Sequence, residues 1–178
     1  MHQNTGTHYS WHLVRNTKLA FEASDKALDP HGMNDFLKKG HLLRQHGGLF
    51  DFDVDAYARV STVYRQTKRN KAYLAAYGDY ISCDGTHLVD KFGNLLLLAT
   101  VFDCLGKIQC AGSVVAPAEN ADIIIEGFRQ FGAGVGSKEP GRTFHSDGGT
   151  WGPVVAEAMG RQHLLCANHF TTKKVREG

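Results

Sequence analysis

Residues 80–87 read Tyr-Ile-Ser-Cys-Asp-Gly-Thr-His, and this is the stretch that decides the fold. Its first four residues predict a short strand, which Asp84 follows beside the turn-forming Gly85. A second strand is predicted over residues 142–146 and is followed by Asp147, 63 residues after Asp84. Two aspartates at the ends of two strands of one sheet can hold divalent metal ions over a phosphodiester. The alternative is that each aspartate is a turn or capping residue, because Asp before Gly is a common turn sequence.

The segments on either side of this pair predict a sheet covered by helices. Leu95–Phe102 is almost continuously apolar, as expected of a buried central strand. The remaining predicted elements are a strand over 107–115, a helix over 119–131, a helix over 149–159 and a short strand over 163–166. Together with the strands at 80–83 and 142–146, the order is β-β-β-α-β-α-β. This order predicts an α/β fold with a mixed sheet and helices packed on it.

The chain of 178 residues has the length of one domain with a small N-terminal α+β region. Residues 1–48 form a polar, partly helical region, with a helix predicted over 34–46. Residues 49–78 form a lead-in, with strands predicted over 49–55 and 57–64 and a helix over 65–77. Residues 79–178 form the core that carries both aspartates.

Charge is distributed unevenly along the chain. Residues 1–78 contain 11 Lys/Arg and 7 Asp/Glu, a net charge of +4, whereas residues 79–178 contain 9 and 11, a net charge of −2. A basic segment beside an acidic one is typical of a nucleic-acid contact next to a metal-binding carboxylate site. An ordinary fluctuation in composition explains the same counts. The apolar content of 42% is high enough for a packed core and excludes wholesale disorder.

The cysteine spacing and the hydropathy bear on the compartment. The four cysteines show no paired spacing, which predicts a reducing environment without a disulfide framework. The first residues lack the apolar core of a signal peptide, and the longest apolar run is far short of the roughly 20 residues that span a bilayer. We therefore expect a protein that is neither secreted nor a membrane protein.

Two blocks of sequence resemble the catalytic motifs of Mutator-like (MULE) transposases. The first is Tyr77-Gly78-Asp79 leading to Asp84-Gly85-Thr86-His87 and then Lys91-Phe92-Gly93. The second is Ser146-Asp147, a predicted helix, and then a Cys-x-x-His motif formed by Cys166 and His169. The resemblance extends from about residue 50 to residue 170. Each motif alone is weak, and their order and spacing together carry the resemblance.

The resemblance implies a DDE transposase catalytic domain with a ribonuclease H-like fold. Asp84 would be the first catalytic metal ligand and Asp147 the second, with Mg²⁺ or Mn²⁺ as the cofactor. The family reaction cuts DNA at the transposon end, and the freed 3′-hydroxyl then attacks target DNA. DNA is accordingly the expected partner, with homo-oligomers possible. The family implies a nuclear location in a eukaryote and a cytoplasmic one otherwise.

One departure from the family pattern concerns the third acidic residue. In the family this residue, usually Glu, lies on a helix well after the Cys-x-x-His motif, and no acid here matches that position. We leave Glu157 and Glu177 unassigned. The sequence therefore predicts an incomplete core that lacks its final helix and is inactive or severely impaired. The alternatives are a transposase-derived DNA-binding or regulatory protein without catalysis, and another ribonuclease H-like nuclease.

Three further groups of residues have both a functional and a structural interpretation. Cys166 and His169 supply only two of the four ligands of a structural zinc site, so zinc is not expected there. His87 is either a neighbour of the site or an ordinary surface histidine. A basic cluster is either a contact for the DNA backbone or a solvated helix face, and its members are Arg65, Lys68, Arg69 and Lys71.

Overall fold

A seven-stranded mixed sheet forms the centre of the protein, as the sequence predicts for the α/β class. The computed structural model describes residues 30–56, 59–88, 93–136, 141–147 and 149–166. The strands are β1 (Leu49–Val54), β2 (Val60–Gln66), β3 (Tyr80–His87), β4 (Leu95–Phe102), β5 (Ile108–Ala116), β6 (Thr143–Ser146) and β7 (Gln162–Leu165). Their order across the sheet is β1-β2-β5-β4-β3-β6-β7.

Four helices accompany the sheet in the described part of the chain. They are α1 (Pro30–Gln45), α2 (Lys68–Tyr77), α3 (Ala121–Gln130) and α4 (Trp151–Ala158). From β3 to β7 the element order is β-β-β-α-β-α-β, which confirms the predicted order. No helix among the described residues is long and apolar enough to cross a membrane.

Strand directions give the sheet two distinct ends. Strand β4 is antiparallel to β3 and β5, whereas β6 is parallel to β3 and to β7. Strands β3, β5, β6 and β7 therefore all run the same way. We call the end where these four strands finish the carboxyl end of the sheet, and the end where they begin the amino end.

Both faces of the sheet are covered by apolar side chains. On one face, Ile81, Leu97 and Phe144 pack with Phe128 of α3 and Val155 of α4. We call this the helical face. On the other face, a smaller cluster includes Leu96 and Val115 together with Phe36 of α1.

Strand β4 is the middle strand of the seven, and this confirms the prediction of a central strand at Leu95–Phe102. Its first three leucines are buried, as expected for a strand that has covered faces on both sides. Only its last residue, Phe102, is substantially exposed, at 43%.

The lead-in segment belongs to the same sheet. Strand β2 pairs with β5, and β1 pairs with β2, so residues 49–66 extend the sheet by two antiparallel strands. Side chains reinforce this join, because the Gln66 amide donates to the Ala111 carbonyl and the Tyr64 hydroxyl donates to Asp53 at 2.8 Å. The lead-in and the core therefore share one sheet.

Two predicted boundaries were wrong. The helix predicted over 65–77 begins at Lys68, because Arg65 and Gln66 are still paired within β2. Thr67 caps this helix: its hydroxyl accepts from the Asn70 backbone N–H, and the Asn70 side chain accepts from the Thr67 N–H. Strand β3 does not stop at Cys83 but continues to His87, so Asp84 lies inside the strand.

Candidate active site

Asp84 and Asp147 occupy corresponding positions on two neighbouring strands. Strands β3 and β6 are paired in parallel as far as Ser82 and His145. Each aspartate comes two residues beyond its paired residue, Asp84 within β3 and Asp147 directly after β6. Adjacent strands of a sheet are about 4.8 Å apart. The fold therefore brings together two residues that are 63 positions apart in the sequence.

The strand pair beside the aspartates is tied by side chains as well as by backbone. Ser82 Oγ and His145 Nδ1 are hydrogen-bonded at 2.9 Å. Because side chains alternate along a strand, Asp84 shares the face of Ser82. Its own side chain is exposed, whereas Asp147 is half-buried and its Oδ1 accepts from the Gly149 N–H at 3.2 Å.

A third carboxylate, that of Glu119, lies at the same end of the sheet. Strand β5 ends at Ala116, which pairs with Leu95, and Leu95 in turn pairs with His87 at the end of β3. Glu119 follows three residues after Ala116, just before Asn120 caps α3. Glu119 was not among the predicted site residues. A clue to Glu119 is that it follows a strand that finishes at the carboxyl end of the sheet. That clue can be used only when the strand directions are known.

Glu119 packs directly against the strand that carries Asp84. A Cβ built on Gly85 would lie 2.5 Å from Oε1 of Glu119, so a side chain at position 85 would require the flexible end of Glu119 to move. That Oε1 is buried and has no hydrogen-bond partner among the described residues. The indole Nε1 of Trp151, a residue only 6% exposed, is likewise buried without a partner there.

The pKa of Glu119 responds to burial and to the charges of neighbouring side chains. Burial raises the pKa of Glu119, and the negative charge of Asp147 raises it further, with a smaller contribution from Asp84. Trp151 and His87 act in the opposite direction and lower the pKa of Glu119. The indole thus lies close to the carboxyl although the two groups form no hydrogen bond of regular geometry. Glu119 lies on the helical face beside Gly85 and Leu97, whereas the side chain of Asp84 points to the opposite face of the sheet.

Cys83 lies beside the same carboxylates but is inert as a nucleophile. It is buried on the helical face, and burial raises its pKa far above the ordinary thiol value. The charges of Glu119, Asp84 and Asp147 raise it further. Because the thiolate is the nucleophilic form, a thiol held this firmly in the protonated state does not take part in chemistry at neutral pH.

The donor atoms suit a hard divalent cation. Carboxylate oxygens are preferred by Mg²⁺, which keeps several waters and is commonly held by one or two carboxylates plus substrate phosphates. Within the described residues, no group of three or more His, Cys, Asp or Glu side chains is arranged so that it could by itself hold a metal ion. Any ion here would therefore complete its coordination with water or phosphate oxygens.

The other predicted site residues are dispersed. His87 is exposed at the end of β3, and the unassigned Glu157 is exposed on α4. Cys166 directly follows β7, where its N–H donates to the Ser146 carbonyl, and it contributes to the raised pKa of Tyr80, of which burial is the larger cause. His169 lies outside the described residues, so the Cys-x-x-His motif stays a prediction.

The basic cluster is not beside the aspartates. Arg65 lies on β2 near Cys110, whereas Lys68, Arg69 and Lys71 lie on α2, so the four residues do not share one helix face. Lys71 lines a cavity of about 260 Å³ together with Asp79 and Arg142, which immediately precede β3 and β6. This places the cluster toward the amino end of the sheet. Strand β2 is antiparallel to β5, so the chain leaves β2 in the direction of the amino end. A role of the cluster in DNA binding stays a prediction.

Comparison with protein-family models, with curated proteins and with solved structures finds no match to this chain.

Proposed function

We propose that this chain carries an incomplete catalytic core of a Mutator-like DDE transposase. The reaction of that family cleaves and transfers DNA strands with the help of divalent metal ions, and this chain would be inactive or severely impaired in it. The observation that carries the proposal is the placement of Asp84 and Asp147 at corresponding positions of the neighbouring strands β3 and β6. Paired carboxylates in this position are what metal-assisted displacement at phosphorus requires.

The strand arrangement supports a ribonuclease H-like fold. Within the β-β-β-α-β-α-β unit that begins at Tyr80, the first and fourth strands are neighbours. This is the arrangement expected of ribonuclease H-like cores. The parallel pairing of β3, β6 and β7 puts the strand ends that carry functional residues at one end of the sheet, where ligands of open α/β sheets commonly bind.

Each side chain has a definite role in the proposed site. Asp84 and Asp147 would hold Mg²⁺ or Mn²⁺ through their carboxylate oxygens. The bound ion would neutralise charge on the phosphodiester and lower the pKa of a coordinated water. The Ser82–His145 hydrogen bond fixes the two strands in register immediately before the aspartates, which limits how far the carboxylates can separate. His87, exposed at the end of β3, would contact a phosphate.

The basic residues of α2 would contact the DNA backbone away from the reacting phosphate. Lys68, Arg69 and Lys71 are exposed, so their charges can approach phosphates. The eight residues of β3 span roughly 25 Å between the two ends of the sheet. A DNA segment that reaches both the basic residues and the aspartates must therefore cover several base pairs.

Strand analysis of DNA incubated with the purified chain tests the proposal. We expect cleavage to be absent or severely impaired, and any residual cleavage to need Mg²⁺ or Mn²⁺ and to be lost in Asp84→Ala and in Asp147→Ala. Glu157→Ala is the matched control, because it removes an exposed carboxylate from α4 and should cleave like the wild type. Cleavage that persists in both aspartate variants would overturn the proposed site. DNA binding without cleavage under any metal condition would favour the alternative, a DNA-binding protein without catalysis.

A further inference from the structure

We propose that the cavity at the amino end of the sheet binds a phosphate group. The cavity has a volume of about 260 Å³, and the charged residues of the described chain that line it are Lys71, Asp79, Arg142 and Arg161. The inference goes beyond the proposed function, because this cavity is a separate site. Five residues of extended chain, roughly 16 Å, separate Asp79 from Asp84.

The strand order brings three charged residues together at this end. Asp79, Arg142 and Arg161 each immediately precede one of the parallel strands β3, β6 and β7. The Thr143 N–H donates to the Asp79 carbonyl at 2.7 Å. The Gln162 N–H donates to the Arg142 carbonyl at 3.0 Å, so the three residues lie side by side. Neighbouring strands are about 4.8 Å apart, and like charges on adjacent strands repel. An anion between the two arginines relieves that repulsion.

Arg161 has a fixed position in the wall of the cavity. It is only 8% exposed, and its Nη1 donates to the Gly78 carbonyl at 2.6 Å and to the Asp79 carbonyl at 3.2 Å. A longer contact joins Nη1 to the Thr143 carbonyl at 3.4 Å. A guanidinium that the fold holds in this way loses its conformational entropy during folding and not on binding, which favours recognition of an anion.

Arg142 can exchange one anionic partner for another. Its Nε forms an ion pair with the Asp79 carboxylate at 3.3 Å, and the Asp79 side chain is 85% exposed. Exposed ion pairs contribute little to stability, so a phosphate that bonds to Arg142 displaces Asp79 at small cost. Arginine binds phosphate through paired N–H donors. Lys71, exposed on α2, adds a flexible positive charge to the same cavity.

The size of the cavity favours a small anion. Pockets for drug-sized ligands have volumes of about 300–1,000 Å³, and this cavity is slightly smaller. Gly132 and Gly134 line it, and a Cβ at Gly132 would meet no atom of the described residues within 4 Å. The cavity therefore has room for a phosphate beside the arginines. That phosphate is either free, as inorganic phosphate or a phosphomonoester, or part of a DNA backbone, because all of these present the same oxygen acceptors.

Titration of the isotopically labelled full chain with inorganic phosphate, followed by heteronuclear NMR at constant ionic strength, tests the inference. We expect saturable shifts of the Gly132 and Gly134 amides. Arg142→Gln should weaken phosphate binding by about tenfold or more, because charge-assisted hydrogen bonds are lost. Arg129→Gln is the matched control and should bind phosphate like the wild type. Arg129 is also in an exposed ion pair, with Glu126, but lies on α3 and does not line the cavity.

Asp79→Asn distinguishes a binding role from a structural one. Asp79 competes with phosphate for Arg142, so removing its charge should strengthen phosphate binding by about fivefold. Loss of an ion pair that is only structural would lower stability without raising the affinity for phosphate. Wild-type or weaker phosphate affinity in a folded Asp79→Asn protein would contradict the inference. Thermal unfolding establishes that each variant is folded before affinities are compared.

Lys71→Gln covers the case in which Arg142→Gln fails to fold. Lys71 is exposed, and loss of its charge should also weaken phosphate binding. Amide shifts that do not saturate, or affinities of Lys71→Gln and Arg142→Gln that equal that of Arg129→Gln, would overturn the inference. Asp84→Ala should bind phosphate like the wild type, so a failure of the proposed catalytic site leaves this test intact.

Titration of labelled duplex DNA with the same variants, at one fixed salt concentration, identifies the source of the phosphate. If it belongs to a DNA backbone, Arg142→Gln lowers and Asp79→Asn raises the affinity for DNA, and inorganic phosphate competes with the DNA. If the affinity for DNA is unchanged in both variants while their affinities for inorganic phosphate differ, the cavity binds a free phosphate or a phosphomonoester.

Discussion

Strands β3 and β6 pair with each other as far as Ser82 and His145, and Asp84 and Asp147 each lie two residues beyond that pair. The hydrogen bond between Ser82 and His145 holds the two strands together immediately before the aspartates. Their relative position is therefore set by a strand pair in the sheet rather than by two independent loops. Sites built on strands hold their geometry more closely than sites on loops.

The aspartates should consequently act as a unit. We expect Asp84→Asn and Asp147→Asn each to lower metal-dependent DNA cleavage by about 100-fold or more, since each replaces a negatively charged ligand of the same bound ion by a neutral amide. The double variant should lose no more activity than the more severe single variant, because effects of residues that work together are not additive. Single-turnover cleavage rates of the three proteins measure this. Losses that multiply in the double variant would show that the two carboxylates act independently.

Leu97→Asp should prevent folding. Leu97 is 2% exposed in the central strand, and an unpaired buried charge costs several kcal/mol, a large part of a total stability of about 5–15 kcal/mol. Leu105→Asp provides the control, because Leu105 is 74% exposed in the turn between β4 and β5. Circular dichroism during thermal unfolding distinguishes the two. A cooperative wild-type transition in Leu97→Asp would contradict the burial of β4.

DNA binding should be weak, independent of sequence and sensitive to salt. We expect Lys68→Ala combined with Lys71→Ala to flatten the dependence of log affinity on log salt by about one unit for each phosphate that the variant no longer neutralises. Lys38→Ala with Lys39→Ala removes the same charge from exposed positions of α1 and should leave the slope unchanged. Fluorescence anisotropy with labelled DNA at several salt concentrations gives the slopes. Equal slopes in both double variants would move the DNA-binding surface elsewhere.

The decrease in the free energy of unfolding at alkaline pH should depend on Cys110. Burial raises the pKa of the Cys110 thiol to about 11, from an ordinary value of 9.0. Between these values the unfolded chain releases the thiol proton and the folded chain keeps it, so stability falls as pH rises from about 9 and the loss levels off above about 11. The expected loss is roughly 1–2 kcal/mol, because one pKa unit is about 1.4 kcal/mol and partial exposure reduces the effect.

Cys110→Ala should therefore show a flatter pH dependence of unfolding free energy than the wild type over this range. Cys104→Ala serves as the control, because Cys104 is exposed. Urea unfolding at pH 8, 9, 10 and 11 measures the difference. Identical pH profiles for Cys110→Ala and the wild type would contradict the raised pKa.

The order of elements from β3 to β7 could be predicted because each carries a clear local pattern. Leu95–Phe102 is apolar enough to identify a buried strand, and Asn120 marks the start of α3 with a side chain that accepts from the Ile123 N–H at 2.9 Å. Such patterns report burial and capping, which depend on nearby residues. They do not report which strands pair.

The boundaries that were wrong depend on backbone pairing rather than on side-chain character. Gly85, Thr86 and His87 are not apolar, yet their backbones pair with Leu97, Leu96 and Leu95 and extend β3 past Asp84. Arg65 looked like part of a helix because basic residues follow it, but it pairs with Phe50 in the sheet. The Thr67–Asn70 cap was visible in the sequence and marks the true start of α2.

Glu119 was not predicted because its position is a property of the topology. A glutamate before a helix looks like an ordinary first-turn acid, which is favourable there for local electrostatic reasons. Its proximity to Asp84 follows only from the order β5-β4-β3 across the sheet. The expectation of an inactive or severely impaired chain stays a prediction.

The pairing of β3 with β6 also has a consequence for folding. Strands β3, β4 and β5 follow one another and pair through short connections, whereas residues 80–82 pair with residues 143–145 at a sequence separation of 63. Contacts of such long sequence separation form slowly, because chain entropy is lost before they are made. The candidate site would therefore be assembled late, after the three-stranded meander. An ion bound by Asp84 and Asp147 would recognise only the finished molecule, so adding metal should raise the melting temperature, and the rise should continue with the logarithm of metal concentration after that last-formed junction is saturated.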